Sequence, residues 1–249
     1  MMRKYWSLIV FLIMSLPLCA QDRTVEVRPY ADLRPFHLGI VIGTHLQDLE
    51  FNNVGPHLVE LDDGSSVMRT ITCDQDKWDI GFNVGVLGEL RINDQFSFRV
   101  SPQLYFGTRN ITFRNYSVID PEGYYTTEKQ QLKSVYVAAP MDIIFNAKRY
   151  GNMKPYMMAG LNPMINLSAK GGDNIVALKR YDAMIEVGIG CDFYLPYFKL
   201  RPELKFCYSL LNVLDTKHVD ELKDLNLKGY AQSVDKAHSK FVVLSFYFD

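Results

Sequence analysis

The sequence predicts an all-β fold, an eight-stranded antiparallel β-barrel that spans a membrane, with short turns at one end and long loops at the other. Three observations predict it. Apolar and polar residues alternate with a period of two over long stretches, the connections between these stretches are alternately long and short, and the chain opens with the layout of an export signal. A period of two places successive side chains on opposite faces of a strand.

The first residues have the order of a secretory signal peptide. Arg3 and Lys4 precede an apolar run, Tyr5 to Leu18, and Ala20 supplies a small residue before the expected cleavage point. Such a run is too short to span a bilayer comfortably. The predicted division of the chain is a signal peptide (1–20), a short periplasmic segment (21–35) and an outer-membrane β-barrel (36–249).

The clearest strand is WDIGFNVGVLGELRIND, residues 78–94, in which Ile80, Phe82 and Val84 share one face and Asp79 and Asn83 the other. Strands of soluble proteins usually have about 5–6 residues, so this one is long as well as two-faced. The same alternation predicts eight strands in all. In chain order their apolar faces run over Phe36–Ile42, Trp78–Ile92, Phe96–Phe106, Val135–Phe145, Met157–Leu167, Ala183–Phe193, Leu200–Leu210 and Val242–Phe248.

The connections between the predicted strands favour a membrane barrel. The long ones are about 50–77, 115–132, 169–180 and 215–239, and the short ones lie at 93–95, 147–152 and 196–197. Strict alternation of short and long connections is typical of outer-membrane barrels, which have short periplasmic turns and longer external loops. Both termini are then expected on the periplasmic side. A soluble barrel or sandwich with a secretory signal is the alternative, but it gives no reason for the asymmetry of the loops.

Charged residues fall on the face opposite the apolar one, which lies inside if the apolar face contacts lipid. The predicted inward set is Asp79, Glu89, Arg91, Arg99, Asp142, Asp182, Glu186, Arg201, Glu203 and Lys205. Eight strands leave an interior just wide enough for side chains to fill. Because acids and bases are mixed, we expect a paired and packed interior, although a catalytic carboxylate pair or a proton relay would use the same residue types. Glycines on the inner face (Gly39, Gly43, Gly81, Gly85, Gly188, Gly190) are expected to let a small barrel close and bend.

Other functional classes find little support in the sequence. The formal net charge is -1, which argues against a nucleic-acid-binding protein. Cys73, Cys191 and Cys207 are an odd number at no metal-ligand spacing, so a disulfide framework is not expected, and lipidation of Cys19 stays open. HExxH, GxSxG and phosphate-loop motifs are absent. The sequence therefore predicts no catalytic residue, no cofactor, no metal, no small-molecule substrate and no enzyme activity.

Four stretches resemble one family of membrane proteins. They are RPFHLGIVIGTHLQDLEF (34–51), YVAAPMDIIF (136–145), KPYMMAGLNPMINLS (154–168) and YDAMIEVGIGCDFYLPYFKLRPELKFCYSLLNVL (181–214). Their order, and the FYLPYFKL turn above all, resemble the PorT (SprT) family of Bacteroidetes outer-membrane proteins. The resemblance covers essentially the whole mature chain. It implies an integral outer-membrane component of the type IX secretion system, which exports cargo with a C-terminal sorting domain and supports gliding in some species.

Three hypotheses follow from these observations. The first is a non-enzymatic barrel required for assembly or operation of the type IX secretion system, with other secretion proteins of the outer membrane or periplasm as partners. The second is a small surface adhesin or ligand-binding barrel that acts through its external loops. The third, a membrane enzyme, is disfavoured because no cluster of catalytic residue types lies near the predicted loop end.

Overall fold

The computed structural model describes residues 26–60, 64–119, 123–169, 174–222 and 224–249, so the predicted signal peptide (1–20) lies outside the described residues. The described residues form twelve strands, a 3-10 turn (Ala31–Leu33) and two short helices, α1 (His218–Glu221) and α2 (Leu225–Ala231). The strands are β1 Phe36–Asn53, β2 Pro56–Glu60, β3 Ser66–Asp74, β4 Asp79–Arg91, β5 Phe96–Val100, β6 Gln103–Ile119, β7 Tyr125–Ala138, β8 Met141–Asn146, β9 Met153–Asn166, β10 Tyr181–Tyr194, β11 Lys199–Ser209 and β12 Val234–Phe248.

The strand pairings return to the strand from which they start. β1 pairs with β12 on one side and with β4 on the other. From β4 the antiparallel pairings continue through β5 and β6 to β8 and β7, then to β9, β10, β11 and back to β12. Closure gives the main-chain groups of the first and last strands a hydrogen-bonding partner, which an open sheet would leave exposed at its edges.

Two prolines divide long strands into shorter ones. β5 and β6 are separated at Ser101-Pro102, and β7 and β8 at Ala139-Pro140, because proline has no N–H to donate to the ladder. Main-chain bonds continue across the breaks: the amide of Val86 donates to Pro102 O (3.0 Å) and that of Ser101 to Pro140 O (3.0 Å). The predicted count of eight strands is therefore not confirmed, since the described residues form twelve.

The predicted faces are confirmed. In β4, Ile80 (73%), Phe82 (56%) and Val84 (41%) are exposed, whereas Asn83 (1%) and Glu89 (3%) are buried. The other long strands repeat this arrangement, with apolar side chains outside and a mixture of polar, aromatic and aliphatic ones inside. The outer surface is thus apolar along the strands, which is the reverse of a soluble barrel.

Two of the predicted long loops are instead largely strand. The segment 50–77 contains the end of β1 and a hairpin of β2 and β3, and 115–132 contains the end of β6 and the start of β7. Pairing between strands explains the difference, because β3 runs along β6 (Ile71 to Asp74 against Thr112 to Asn115) where the hydrophobic alternation alone is weak. Along the described ranges, no helix combines the length and apolar character needed to cross a membrane.

The opposite faces of β4 predict opposite responses to substitution at neighbouring positions. Val84→Arg places a charge on the exposed apolar surface, which costs about 2–4 kcal/mol near the middle of a bilayer. Asn83→Ser removes the bond from Asn83 Nδ2 to Gln103 Oε1 (2.8 Å), worth about 1–3 kcal/mol if a partner is left unsatisfied. We expect Val84→Arg to reduce heat-modifiable, membrane-inserted protein far more than Asn83→Ser. Equal amounts of both variants in the membrane would contradict the assignment of faces.

Candidate functional site

The middle of the interior is filled by a buried ion pair and its hydrogen-bonding partners. Arg99 Nη2 lies 2.6 Å from Glu203 Oε2 and 3.2 Å from Asp142 Oδ2, and all three side chains are excluded from solvent. The hydroxyls of Tyr156 and Tyr247 donate to Glu203 at 2.7 and 3.2 Å. The Arg99 guanidinium also lies 4.4 Å from the centre of the Tyr247 ring. One acid is thus shared by a cation and two phenols, as a dry interior requires.

A second buried cation lies beside this group. Lys205 Nζ is 3.4 Å from Glu186 Oε1 and 3.8 Å from Glu203 Oε1. It also donates to the hydroxyl of Tyr247 at 3.4 Å, and Asn162 Nδ2 donates to Glu186 Oε2 at 3.2 Å. These contacts join the two ion pairs into one network that fills the cross-section of the barrel.

Towards the short turns, the network continues through Arg201. This residue pairs with Glu89 and, through Nε, with Asp192 Oδ1 at 3.0 Å. Lys199 Nζ lies 2.8 Å from Asp249 Oδ2, and His37 Nδ1 contacts the same oxygen at 3.0 Å. The polar interior therefore extends as a chain of paired charges to the turn end of the barrel.

Eight of the ten predicted inward charges are buried in the interior, and the other two lie at strand ends. Asp79 is half-buried and accepts hydrogen bonds from Asn110 and Gln75, while Arg91 pairs with Asp94 in the turn after β4. Sequence reasoning missed two buried cations, Arg109 and Lys199. Arg109 has the same parity as Gln103 and Tyr105, so extending that strand would have identified it; Lys199 likewise shares the parity of Arg201.

The inner-face glycines make room for this interior. A Cβ on Gly190 would lie 2.4 Å from the Tyr156 ring, and one on Gly81 would lie 2.3 Å from the imidazole of His45. Both distances are shorter than van der Waals contact allows. These glycines therefore leave space for large inward side chains on neighbouring strands.

The loop end of the barrel is closed by a hydrophobic core, here called the loop-end core. Its buried residues are Leu49, Ile71, Cys73, Ile111, Phe113, Leu132, Ile175, Val176, Leu178, Val213, Leu214, Leu222, Tyr230, Ala231, Val234 and Ala237. They come from the extensions of five strands and from the connections after β9 and β11. Below this core, Arg109 donates to Gln47 Oε1 (3.1 Å) and Ser239 Oγ (3.0 Å), which joins the apolar layer to the polar interior.

Helix α2 is fixed onto the β2–β3 hairpin by close packing. A Cβ on Gly229 would lie 2.4 Å from Cγ1 of Val59, so only glycine allows this approach. The two nitrogens of the His57 ring lie 2.9 Å from Gly55 O and 2.8 Å from Gly229 O, and the Tyr230 ring meets that of Phe113 edge-on at 6.0 Å. The described residues of the segment 215–239, predicted as a loop, thus fold back over the barrel as part of a packed layer.

The turn end is covered by the described part of the predicted periplasmic segment, residues 26–35. Arg149 donates to the carbonyls of Val27 (2.5 Å) and Gly151 (2.8 Å), and its guanidinium lies 3.7 Å from the centre of the Tyr194 ring. The amide of Val27 donates to Asn152 Oδ1 at 2.8 Å. The segment is therefore bound to the turn between β8 and β9 by its main chain.

Asp32 is the charged contact between this segment and the barrel. It accepts hydrogen bonds from the Tyr194 hydroxyl and from Lys154 Nζ (3.4 Å). Burial alone would raise the pKa of the Asp32 carboxyl, but Tyr194 and Lys154 together hold that pKa below its ordinary value. The contact is therefore complete above about pH 4 and is lost as the pH falls through the lowered pKa.

In the part of the chain that the structure describes, no group of three or more His, Cys, Asp or Glu side chains could hold a metal ion. Most of the buried acids and bases are engaged with one another, and the loop-end core covers them at one end. This arrangement fills the described part of the interior with ion-paired and hydrogen-bonded side chains.

Comparison with known proteins identifies the family. Residues 19–215 match the family model described as outer membrane protein beta-barrel domain. The chain belongs to this family. The barrel is accordingly an integral outer-membrane protein, and its apolar outer surface contacts lipid. A comparison with curated proteins found no match.

Several solved outer-membrane barrels are similar in fold. Neisserial surface protein A is 11% identical, with a TM-score of 0.43, over 86% of this chain and 98% of its own. OprG from Pseudomonas aeruginosa is 12% identical, with a TM-score of 0.42, over 85% of this chain and 93% of its own. The outer membrane protease OmpT from Escherichia coli is 8% identical, with a TM-score of 0.38, over 91% and 98%. Likenesses of this strength carry no information on function.

The buried network predicts a large effect of removing one charge. Glu203→Gln keeps the shape of the side chain but leaves Arg99 with less compensating charge, which costs roughly 3–5 kcal/mol for a buried pair. The control Glu50→Gln removes an exposed ion pair with Lys240 (2.9 Å), worth about 0–1 kcal/mol. Urea unfolding in lipid vesicles measures both. Equal stability of the two variants would show that the network does not stabilise the barrel.

The clamp on residues 26–35 predicts a local change that leaves the barrel intact. In Arg149→Ala, the amides of this segment should exchange hydrogen severalfold faster at neutral pH, because the main-chain bonds and the stacking on Tyr194 are lost. Lys148→Ala, at the exposed neighbouring position, should have no effect. The wild-type segment should begin to lose protection as the pH falls below about 4 and should lose it fully as the pH falls through the lowered pKa of Asp32. Exchange normalised to intrinsic rates tests each point, and unchanged protection in Arg149→Ala would exclude the clamp.

Proposed function

We propose that this barrel is a non-enzymatic component required for assembly or operation of the type IX secretion system. The observation that carries the proposal is the filled interior, in which Arg99, Glu203 and Lys205 occupy the barrel axis. A protein of this kind acts by contact with partners, since a polypeptide cannot pass through a packed lumen. The resemblance of residues 34–51 and 181–214 to the PorT family supports the choice of secretion machinery.

The proposal includes an arrangement in the membrane. We count β5 with β6 and β7 with β8 as single spans interrupted by proline, which makes eight spans in the closed circuit of pairings. Eight spans match an interior that side chains just fill. In this arrangement the short turns and both termini face the periplasm, and the loop-end core faces the exterior, as short turns and long loops do in outer-membrane barrels.

The two ends are the surfaces available to partners. On the periplasmic side, residues 26–35 are held against the turns beside an open pocket of about 690 Å³, lined in part by Asp32, Gln95 and Lys148. On the outer side, the loop-end core supports two projecting hairpins. Rigid presentation of both ends favours a scaffold that holds the proteins of a translocon together.

A surface adhesin or ligand-binding barrel is the second candidate, and the hairpin tips favour it. Leu58 (62%) and Met68 (57%) are exposed on the β2–β3 hairpin, and Ile119 (62%) and Tyr124 (70%) flank the tip between β6 and β7. Exposed aromatic and apolar side chains at loop tips are common in binding surfaces. An adhesin would need these tips for attachment and would be dispensable for export.

Deletion of the gene distinguishes the two candidates. If the barrel serves secretion, cargo with a sorting domain should accumulate unprocessed in the periplasm while outer-membrane permeability stays normal. Expression of the wild-type chain in the deletion strain should restore export, and the purified barrel in planar bilayers should show no cargo-sized conductance. Surface cargo at the wild-type level in the deletion strain would contradict the secretion role and favour the adhesin.

A further inference from the structure

The outer surface of β6 and β7 changes abruptly from apolar to cationic at the loop end. Phe106 pairs with Val135 at the end of the lipid-facing apolar surface, and Thr108 pairs with Lys133 one step further along the strands. Over the next few residues the outward side chains are polar, until Tyr116 on β6 and Tyr125 on β7. The lysine patch consists of the exposed residues Thr108, Asn110, Lys129, Gln131 and Lys133.

The position of the lysine patch relative to the hydrocarbon layer of the membrane follows from strand geometry. The apolar outward positions of β5 and β6 run from Phe96 to Phe106. At about 3.4 Å per residue and a tilt of about 40°, these positions span roughly 26 Å, close to the ~25 Å apolar band of outer-membrane barrels. Lys133 therefore lies at the boundary of the hydrocarbon layer, and Lys129 lies about 10 Å higher along the tilted strand.

Lys129 and Lys133 are both exposed on this surface. Neither has an ion-pair partner within the described ranges, whereas Lys240, on β12, is neutralised by Glu50 at 2.9 Å. Two carboxylates beside the patch have partners of their own, and Asp76 also attracts Lys129 electrostatically. Asp79 accepts hydrogen bonds from the amide (2.7 Å) and side chain (2.8 Å) of Asn110, and Asp76 pairs with Arg114.

We propose that the lysine patch binds the phosphorylated sugar headgroup of lipopolysaccharide in the outer leaflet, an assignment that uses the orientation proposed above. Unpaired cations next to a lipid-facing surface attract anionic headgroups. The headgroup layer of a phospholipid is only about 5–7 Å thick on each side, so it reaches Lys133 but not Lys129. The thicker layer of phosphates and core sugars in lipopolysaccharide spans both residues. The spacing of the two lysines thus selects a saccharolipid over a phospholipid.

Binding to the purified, full-length barrel in detergent tests the assignment. The probes are rough lipopolysaccharide, lipid A without core sugars, phosphatidylglycerol and inorganic phosphate, and bound lipid is counted by native mass spectrometry. The wild type should retain rough lipopolysaccharide in preference to phosphatidylglycerol. Lys129→Gln with Lys133→Gln should weaken this binding by about tenfold or more. The control pair Lys217→Gln with Lys236→Gln, exposed lysines outside the patch, should change it by less than about twofold.

Single variants locate the headgroup. Lys133→Gln should weaken both lipid A and rough lipopolysaccharide, whereas Lys129→Gln should weaken mainly the form with core sugars. Three results would each overturn the proposal. They are unchanged binding of rough lipopolysaccharide by the double variant, equal retention of phosphatidylglycerol by the wild type, and displacement of the bound lipopolysaccharide by millimolar inorganic phosphate. Heat-modifiability of each variant confirms folding. The orientation of the barrel is tested separately. A tag inserted at Gly64 should be labelled on intact cells. If that tag is not labelled, the choice of leaflet is wrong, but the binding result stands.

Discussion

Satisfaction of main-chain hydrogen bonds in an apolar surrounding is the constraint on which the rest of the structure depends. Lipid offers no partner for a free N–H or C=O, so the sheet must close, and β1 meets both β4 and β12. Closure turns one face of every strand inward. Apolar side chains therefore lie outside and charged ones inside, which is the reverse of the arrangement in a soluble protein. The breaks at Pro102 and Pro140 also satisfy this constraint, because the carbonyls of both prolines still accept hydrogen bonds from neighbouring main-chain amides.

A closed sheet of this size then decides what the interior can be. Large charged and aromatic side chains such as Arg99, Tyr156 and Tyr247 meet in the interior, and Arg99 is tolerated there because it pairs with Glu203 and lies against the Tyr247 ring. Glycines at crowded positions, Gly190 among them, provide the space. On the proposed count of eight spans, a packed interior leaves no room for a conduit. The surfaces left for function are the two ends and the lipid-facing wall, where the lysine patch lies.

The two ends are closed by different physical means. At the loop end, strand extensions and α2 bury a hydrophobic core, which is the ordinary solution of a water-soluble domain. At the turn end, Arg149 and Asp32 hold a short segment through main-chain bonds and one partly buried charge. The first closure belongs to the stable body of the protein, whereas the second depends on a few polar contacts and responds to pH.

The sequence alone determined the faces of the long strands and most of the charged interior. The period of two in 78–94 assigned Ile80 and Val84 outward and Glu89 inward, because in a strand the position of a side chain depends only on parity. Tertiary structure decided which charges meet: Arg99 and Glu203 lie 104 residues apart and are joined only by closure of the sheet. Tertiary structure also decided the arrangement of the loop end. There β3 pairs with β6, and α2 packs against Val59 at Gly229, through contacts that no local sequence pattern indicates.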